Sequence, residues 1–328
     1  MKNIYLYKNA ALYHLLLLLL LLTACKKEEH TLVVTAKSTL LQYVSKDPQL
    51  TLFKAALERA GMLNDTTFSN GGPYTIFAPV DSAFKVAGLT LDRINAYDPK
   101  ALAFILQYHF VYGNLSSNSL IGFYTQVAIS RNPVYRPTIT KNYFGIFLNG
   151  IPLTTANIIL GDGIVHKLGR VAFPPVGNME DVIQQSPDLT LFTAATHLLG
   201  YDTIFVKANP LPGYHGLYVS LTVLAPNDAA FGAYGFADVN AIKQADPVVL
   251  RSFIQFYFKP GTSLTSSFLG GTILGDALFD LVNPRIYKIQ ADGITFTTSG
   301  NVVPPHIVRP DVIATNGVVQ VVDQVIIP

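Results

Sequence analysis

The chain contains one pattern of residues twice, and this repeat limits the folds that it can adopt. Residues 74–84, YTIFAPVDSAF, return as LTVLAPNDAAF at residues 221–231. Residues 48–56, PQLTLFKAA, return in the same order as PDLTLFTAA at residues 187–195. A unit of this length exceeds the roughly 20–50 residues of a solenoid repeat. The sequence therefore predicts two globular domains in tandem.

The first residues have the features of an export signal. Lys2 and Lys8 precede an apolar stretch that includes eight consecutive leucines, residues 15–22. A transmembrane helix needs about 20 apolar residues, whereas positive charge before a short apolar run is typical of a secretory signal. We therefore predict a signal peptide at residues 1–24.

Cys25 is the only cysteine of the chain, which excludes an intramolecular disulfide. The segment Leu22-Thr-Ala-Cys25 resembles a bacterial lipobox, in which the cysteine carries the lipid, so residues 25–37 are predicted to be a lipid-anchored tether. Lys26-Lys-Glu-Glu29 resembles the tag that sends some lipoproteins to the outer face of the outer membrane, and an ordinary solvated tether is the alternative. We expect an outer-membrane protein that is exposed on the cell surface. The alternative is a protein on the periplasmic face of that membrane.

The composition is that of a packed and turn-rich extracellular protein. Charged residues make up 13% of the chain, the formal net charge is +2, and there are 24 glycines and 20 prolines. Such a balance provides neither the basic field that nucleic acid requires nor a disordered acidic tail. We predict one domain at residues 38–175 and a second at residues 176–328.

Each repeat is predicted to be helical early and β-rich late, which is an α+β layout. Helical spacing of apolar residues begins each repeat, and the strand before Pro79 is followed by Asp81, which we expect to cap the next helix. A further helix is predicted from Pro99 to Tyr112, and its counterpart runs from Pro247 to Phe258.

Turn dipeptides in the later part of each repeat, such as Asn149-Gly150 and Asn316-Gly317, predict hairpins of antiparallel strands. The aromatic residues between the first helices and these hairpins are expected to fill the core and the strands. They are Tyr135, Tyr143, Phe144 and Phe147.

Three ordered motifs of the first half have counterparts in the second: TIFAP at residues 75–79 returns as TVLAP at 222–226, Phe256-Tyr257 stands at the place of the Tyr108-His109 pair, and the closing segment 162–175 returns at 316–328. With these motifs the chain resembles tandem fasciclin-like domains, which are extracellular α+β modules of adhesion proteins and bacterial surface proteins. The resemblance implies N-terminal helices packed on a β-rich wedge or sandwich in each domain. It covers residues 38–328.

The resemblance also implies a link between adhesion and the Tyr108-His109 region. The second repeat has Phe256-Tyr257 there, so only the first repeat retains the pair, and Gln320 likewise stands in the place of His166. A structural role for Tyr108 and His109 is the alternative that we favour, because a histidine on an apolar helix usually has its partners within the core.

An insertion in the second repeat, residues 206–218, is rich in proline and glycine and is therefore predicted to be a loop. Tyr214 and His215 lie at its tip, where an amphipathic side chain can stack on a sugar or contact a protein. A neutral surface insertion is the alternative.

The sequence contains no motif for catalysis, a metal or a cofactor. The seven histidines include no pair at i, i+4 and have no cysteine partner, and neither a nucleophile elbow nor a phosphate-binding loop occurs. We therefore predict no enzyme activity, no catalytic residue, no metal site and no cofactor. A hydrolase whose two carboxylates meet only in space is the least favoured reading.

These features together predict a non-enzymatic surface lipoprotein that mediates adhesion or binds an extracellular protein or polysaccharide. Its expected partners are the membrane, through the N-terminal lipid, and that extracellular ligand, but not nucleic acid. The alternative is an accessory structural subunit of an outer-membrane glycan or nutrient uptake complex that includes a transporter.

Overall fold

A computed structural model describes residues 38–63, 72–120, 124–207, 220–270 and 288–327 of the chain. The first repeat begins with two helices, and three more follow its first strand. The helices of the first repeat are α1 Leu40–Lys46, α2 Thr51–Arg59, α3 Asp81–Val86, α4 Leu91–Ala96 and α5 Pro99–Gln107. The side chain of Thr39 caps α1 and that of Asp98 caps α5, so capping residues define where these helices begin.

The strands of the first repeat form one seven-stranded mixed sheet. They are β1 Tyr74–Pro79, β2 Phe110–Tyr112, β3 Tyr124–Val127, β4 Thr138–Asn142, β5 Gly145–Leu148, β6 Ile151–Leu160 and β7 Gly163–Leu168. Their order is β2-β1-β7-β6-β5-β4-β3. The neighbours β1 and β7 are parallel, whereas the other neighbouring strands are antiparallel. The first and last strands of the repeat are therefore adjacent.

The sheet curls until its two ends meet. Beyond β3, the Ile129 carbonyl accepts from the Tyr112 amide at 2.9 Å, and the Arg131 amide donates to the Phe110 carbonyl at 2.7 Å. Side chains of six strands fill the inside of the curl, whereas the helices cover a second apolar cluster on the outer face of β1. Successive residues of a strand point to opposite faces, so Phe77 lies in the inner cluster and Ile76 in the outer one.

The second repeat follows the same order. Its helices are α6 Met179–Gln184, α7 Thr190–Leu198, α8 Asp202–Lys207, α9 Asp228–Tyr234, α10 Val239–Gln244, α11 Pro247–Ile254 and α12 Thr265–Phe268, with a 3-10 turn at Gln255–Tyr257. Its strands are β8 Leu221–Pro226, β9 Phe258–Pro260, β10 Lys288–Ile289, β11 Phe296–Thr297, β12 Ile307–Ala314 and β13 Gly317–Val322. The order β12-β13-β8-β9, with β8 and β13 parallel, matches that of the corresponding strands in the first repeat.

The expectation of an α+β fold with two tandem domains is confirmed. Over the described residues, each buried apolar cluster draws its members from one repeat, so each repeat has its own core. Contacts between Cα atoms nevertheless place both repeats in a single compact unit. None of the described helices combines the length and the apolar character that crossing a membrane requires.

The predicted helices end earlier than expected. α5 ends at Gln107 and α11 at Ile254, and the residues after them form β2 and β9. Residues 110–112 are aromatic or β-branched, which favours a strand, and they pair with β1. This pairing satisfies their backbone amides and carbonyls. The prediction of helix up to Tyr112 and Phe258 is therefore wrong.

Asp81 and Asp228 cap a different helix from the one predicted. Each is the first residue of its own helix, α3 or α9, but its carboxylate accepts from the start of a neighbouring helix. Asp81 Oδ1 accepts from the Leu52 amide at 2.9 Å and Oδ2 from the Thr51 hydroxyl at 2.6 Å. Asp228 repeats these contacts at 2.8 and 2.7 Å. The motif thus fastens α2 or α7 to the strand-to-helix corner.

The aromatic residues assigned to the core divide into two groups. Phe147 is buried in β5, but Tyr143 is 84% exposed and Phe144 lies half-exposed beside it at the β4–β5 hairpin tip. The reason is the turn itself: the Asn142 side chain accepts from the Phe144 amide and holds the two rings outside the sheet. The prediction that Tyr143 fills the core is wrong.

Two glycines of the predicted turns, Gly163 in Asp162-Gly163 and Gly317 in Asn316-Gly317, allow close packing against a neighbouring strand. A Cβ atom on Gly163 would lie 2.0 Å from the Tyr74 carbonyl oxygen, and one on Gly317 would lie 2.0 Å from that of Leu221. These glycines begin β7 and β13, where the parallel partner strand passes. The predicted hairpins at these sites are present, since β6 pairs with β7 and β12 with β13.

Candidate functional site: a groove between the two repeats

A groove with a volume of about 490 Å³ lies where the two repeats meet, and we call it the inter-repeat groove. Its walls come from α3, the β5–β6 turn and segment 170–176 of the first repeat, and from α6 and β12 of the second. Pockets that hold small ligands or side chains of a partner commonly measure about 300–1,000 Å³. The groove is therefore large enough to be a binding site.

Apolar side chains that face solvent surround the inter-repeat groove. Val86 on α3 is 81% exposed, Val176 is 69% exposed, and the ring of Phe173 is partly exposed between them. Burial of apolar surface contributes roughly 25 cal/mol per Å². A partner that covers these side chains would therefore gain free energy from the water that it displaces.

Two ion pairs border the groove on the side of the second repeat. Arg170 Nη2 lies 3.2 Å from Asp311 Oδ2, which joins the first repeat to the second. Arg309 Nη2 lies 2.7 Å from Asp188 Oδ1 within the second repeat. The groove thus has exposed apolar side chains in its lining and paired charges on the side of the second repeat.

The predicted binding residues Tyr108 and His109 lie directly behind the groove wall. Both side chains are buried, so neither lines the groove. The Asn149 side chain donates to the Tyr108 hydroxyl at 2.8 Å, and the Ala172 amide donates to His109 Nε2 at 3.0 Å. Asn149 and Ala172 do line the groove. This burial supports the structural alternative, and a role of the pair in adhesion stays a prediction.

Hydrogen bonds define the neutral tautomer of each buried histidine. His109 Nδ1 donates to the Ile105 carbonyl at 3.1 Å while Nε2 accepts. In His166 the two ring nitrogens exchange these roles. Its Nδ1 accepts from the Asn157 amide at 3.1 Å, and its Nε2 donates to the Leu115 carbonyl at 2.7 Å. Burial lowers the pKa of each imidazole to about 4, because the interior disfavours the charged form.

The second repeat keeps both hydrogen-bond patterns with residues other than histidine. The Tyr257 hydroxyl accepts from the Ile326 amide at 3.1 Å, as His109 does from Ala172. Gln320 Oε1 accepts from the Asp311 amide at 2.8 Å, and its Nε2 donates to the Ser263 carbonyl at 3.1 Å. The exchange of residue type between repeats thus preserves backbone contacts.

Three predicted site residues cannot be placed, because Cys25, Tyr214 and His215 lie outside the described residues. Among the residues that are described, no group of three or more His, Cys, Asp or Glu could hold a metal ion.

The sequence did not identify Val86, Phe173 and Val176, or the pair Arg170 and Asp311, because the groove exists only where the repeats pack together. The one available signal was the difference between repeats: Asp311 corresponds to Asn157, and Arg170 to Gln324.

Comparison with known proteins gives a consistent picture. The model of the Fasciclin domain matches residues 48–174 and again residues 202–328. Transforming growth factor-beta-induced protein ig-h3 of Sus scrofa is 25% identical over 258 residues, which are 78% of this chain and 35% of that protein. Human periostin is 25% identical over 208 residues, which are 60% of this chain and 22% of that protein.

A bacterial relative matches a shorter part of the chain. The cell surface glycolipoprotein MPB83 of Mycobacterium bovis is 30% identical over 139 residues, which are 40% of this chain and 61% of that protein. The chain thus spans from about a fifth to three fifths of the length of these relatives. A solved FAS1 domain pair from the insect cell adhesion molecule Fasciclin I is 14% identical, with a TM-score of 0.40, and the match covers 84% of this chain and 96% of that chain.

Proposed function

Because this chain belongs to the Fasciclin domain family, we propose that it is a non-enzymatic surface protein that binds an extracellular protein or glycan through the inter-repeat groove. The observation that carries this proposal is that three exposed apolar side chains line a groove of about 490 Å³. They are Val86, Phe173 and Val176. One relative, MPB83, is described as a cell surface glycolipoprotein, which supports a role at the cell surface.

The proposal includes a lipid anchor on Cys25. It is supported by the export signal before this cysteine and by the description of MPB83 as a glycolipoprotein. Several acyl chains, each contributing about 0.8 kcal/mol per buried CH₂, would hold the protein stably in a membrane. In this proposal the protein faces the outside of an outer membrane.

The anchor is tested by the Cys25→Ala variant. We expect wild-type protein to incorporate labelled palmitate and to sediment with membranes, and the variant to do neither. If the variant sediments as wild type does, or wild type takes up no label, the anchor is refuted.

The groove is tested by replacing the two most exposed valines of its rim with lysine, Val86→Lys together with Val176→Lys. Because both side chains face solvent, the fold should tolerate the change, whereas a covered lysine has to lose its hydration. We expect binding of the full chain to immobilised panels of secreted proteins and glycans to weaken at least tenfold.

The matched control is Val248→Lys, which changes a valine of similar exposure on α11, away from the groove. Its counterpart in the first repeat is Lys100, so a lysine fits this position of the fold. Equal binding by the groove variant and the control would contradict the proposal, as would a wild-type chain that binds no member of either panel. Co-purification of an outer-membrane transporter that the groove variant retains would instead support the accessory-subunit alternative.

A further inference from the structure

Asp311 is a buried carboxylate at an irregular point of β12. The backbone has φ +59° there, in the left-handed region, and the pairing of β12 with β13 shifts its register between Arg309 and Val312, the interval that contains Asp311. Its oxygens accept from the Thr265 amide at 2.8 Å, the Thr265 hydroxyl at 2.5 Å and Gln320 Nε2 at 2.9 Å. Asp311 is therefore held firmly by its own repeat.

The first repeat builds the same arrangement around a neutral residue. Asn157 has φ +60°, its Oδ1 accepts from the Ser117 amide at 2.7 Å, and its Nδ2 donates to the Ser117 hydroxyl at 2.5 Å. Its own amide donates to His166, as that of Asp311 donates to Gln320. Since an amide suffices for this arrangement, the negative charge of Asp311 has a different reason.

That reason is a contact with the first repeat. Arg170, which follows β7, donates from Nη1 to the Pro310 carbonyl at 3.2 Å and from Nη2 to Asp311 Oδ2 at 3.2 Å. The β5–β6 turn closes on the same carboxylate, since a Cβ atom on Gly150 would lie 2.3 Å from Asp311 Oδ2. The first repeat thus meets Asp311 with the guanidinium of Arg170 and with Gly150, which has no side chain.

A second contact lies at α12, next to this pair. Asn142 Nδ2 donates to the Ser266 carbonyl at 2.8 Å, and the Phe144 ring fills the space where a Cβ atom on Gly270 would be, 2.5 Å from the ring. Thr265, which holds Asp311, belongs to the same helix. Both contacts therefore act on one rigid part of the second repeat.

We propose that the ion pair between the partly exposed Arg170 and the buried Asp311 fixes the orientation of the second repeat against the first and thereby sets the width of the inter-repeat groove. Arg170 and Asp311 are positioning residues in this account. The importance of the groove rests on the proposed function, but the orientation itself does not.

The ion pair forms only between the arginine of the first repeat and the aspartate of the second, and not the other way round. The counterparts are Asn157 in the first repeat and Gln324 in the second, so the first repeat lacks the acid and the second lacks the base. The same pair therefore cannot form between the second repeat and a further copy of the first.

The test measures the distance between two spin labels on the full chain in a Cys25→Ala background. The labels are attached to cysteines that replace Val134 and Val248, two exposed residues of different repeats. We expect one narrow distance distribution for the starting protein. Asp311→Asn and Arg170→Gln, each of which imports the residue of the other repeat, should broaden it at least twofold.

Three further measurements keep the result interpretable. The double variant should broaden the distribution no more than either single change, because both remove the same ion pair. Arg309→Gln, which breaks only the Arg309–Asp188 pair within the second repeat, should leave it narrow. Circular dichroism should show that every variant is folded, which the Asn157 arrangement of the first repeat leads us to expect for Asp311→Asn.

A broad distribution in the starting protein, or a narrow one in both single variants, would overturn the proposal. Broadening by Arg309→Gln to the same degree would also overturn it, since the effect would not depend on the contact between repeats. Partner binding is measured separately on the Val86 and Val176 variants, so undiminished binding by those variants together with a narrow distribution would refute the proposed function and leave the ion pair in place.

Discussion

The ion pair between Lys167 and Asp47 allows a sharp prediction about the stability of the first repeat. Lys167 Nζ lies 2.6 Å from Asp47 Oδ2, and the two side chains are only 8% and 6% exposed. The Tyr43 hydroxyl donates to the same carboxylate at 2.5 Å, and the Gln49 amide donates at 2.9 Å. The carboxylate therefore depends on three donors within the protein.

The second repeat fills the same place without charge. Its residues at the positions of Tyr43, Asp47 and Lys167 are valine, serine and valine, which are Val182, Ser186 and Val321. The chain thus contains its own comparison between a buried ion pair and an uncharged replacement.

Lys167→Met removes the cation and leaves the buried carboxylate behind. Loss of one partner of a buried pair typically costs about 3–5 kcal/mol. We expect the low end, about 3 kcal/mol, because Tyr43 and Gln49 still donate to Asp47. The matched control is Lys54→Met, which breaks an exposed pair with Glu58 at 3.7 Å and should cost only about 0.3–0.5 kcal/mol.

A triple variant, Tyr43→Val with Asp47→Ser and Lys167→Val, imports the residues of the second repeat. Replacement of a whole buried ion pair by packed apolar residues is often neutral or stabilising. We therefore expect the free energy of unfolding to remain within about 1 kcal/mol of wild type. The comparison separates the cost of an unpaired charge from the loss of side-chain packing.

Calorimetry of the full chain measures these effects. At roughly 2–4 °C per kcal/mol for a domain of this size, Lys167→Met should lower the midpoint of the first repeat by roughly 6–12 °C. The reasoning is refuted if Lys167→Met costs no more than Lys54→Met, or if the triple variant loses as much stability as Lys167→Met.

The same pair has a dependence on pH. Burial by itself raises the pKa of the Asp47 carboxyl, but hydrogen bonds from Lys167, Tyr43 and the Gln49 amide outweigh it and hold the pKa below its usual value. A lowered pKa in the folded state contributes stability above the unfolded pKa of about 3.9, and this contribution is lost as pH falls through the folded value. The cost of Lys167→Met should therefore shrink below about pH 4.

Two predictions concern the buried histidines. The pKa of His109 and of His166 is about 4 in the folded state and about 6.5 in the unfolded state, so the unfolded chain binds more protons between these two values. As the pH falls from 7 to 5, each histidine should therefore lower the free energy of unfolding by about 2 kcal/mol. Urea titrations that show equal stability at both pH values would contradict this. His166→Gln should change the free energy of unfolding at pH 7 by less than about 1 kcal/mol, because Gln320 makes the same contacts in the second repeat. Between pH 7 and pH 5 this variant should lose less stability than wild type does. A variant as sensitive to acid as wild type would show that His166 does not titrate in this range.

Much of the fold could be predicted because its signals are local and occur twice. The strands that end at Pro79 and Pro226 and the helices that begin after Asp98 and Asp246 depend on neighbouring residues in the chain. Comparison of the repeats supplied what a single copy could not. The α+β layout and the tandem arrangement followed from these features.

The errors arose where distant residues decide the structure. Asp81 caps α2 because the strand-to-helix corner packs against that helix, which no spacing along the chain reveals. Tyr143 is exposed because the hairpin tip reaches beyond the core of its own repeat. The pairing of Arg170 with Asp311 joins residues 141 positions apart in different repeats. The candidate site therefore became visible only from the packing of the two repeats.

The curled sheet of the first repeat has a consequence for a protein displayed at high density. A strand at the edge of a sheet presents unpaired amides and carbonyls that can template aggregation with an adjacent molecule. Here the Tyr112 and Arg131 amides donate across the seam between the two ends of the sheet. Crowded copies on one surface would find these backbone groups already occupied, so lateral strand exchange between neighbours is disfavoured at the seam.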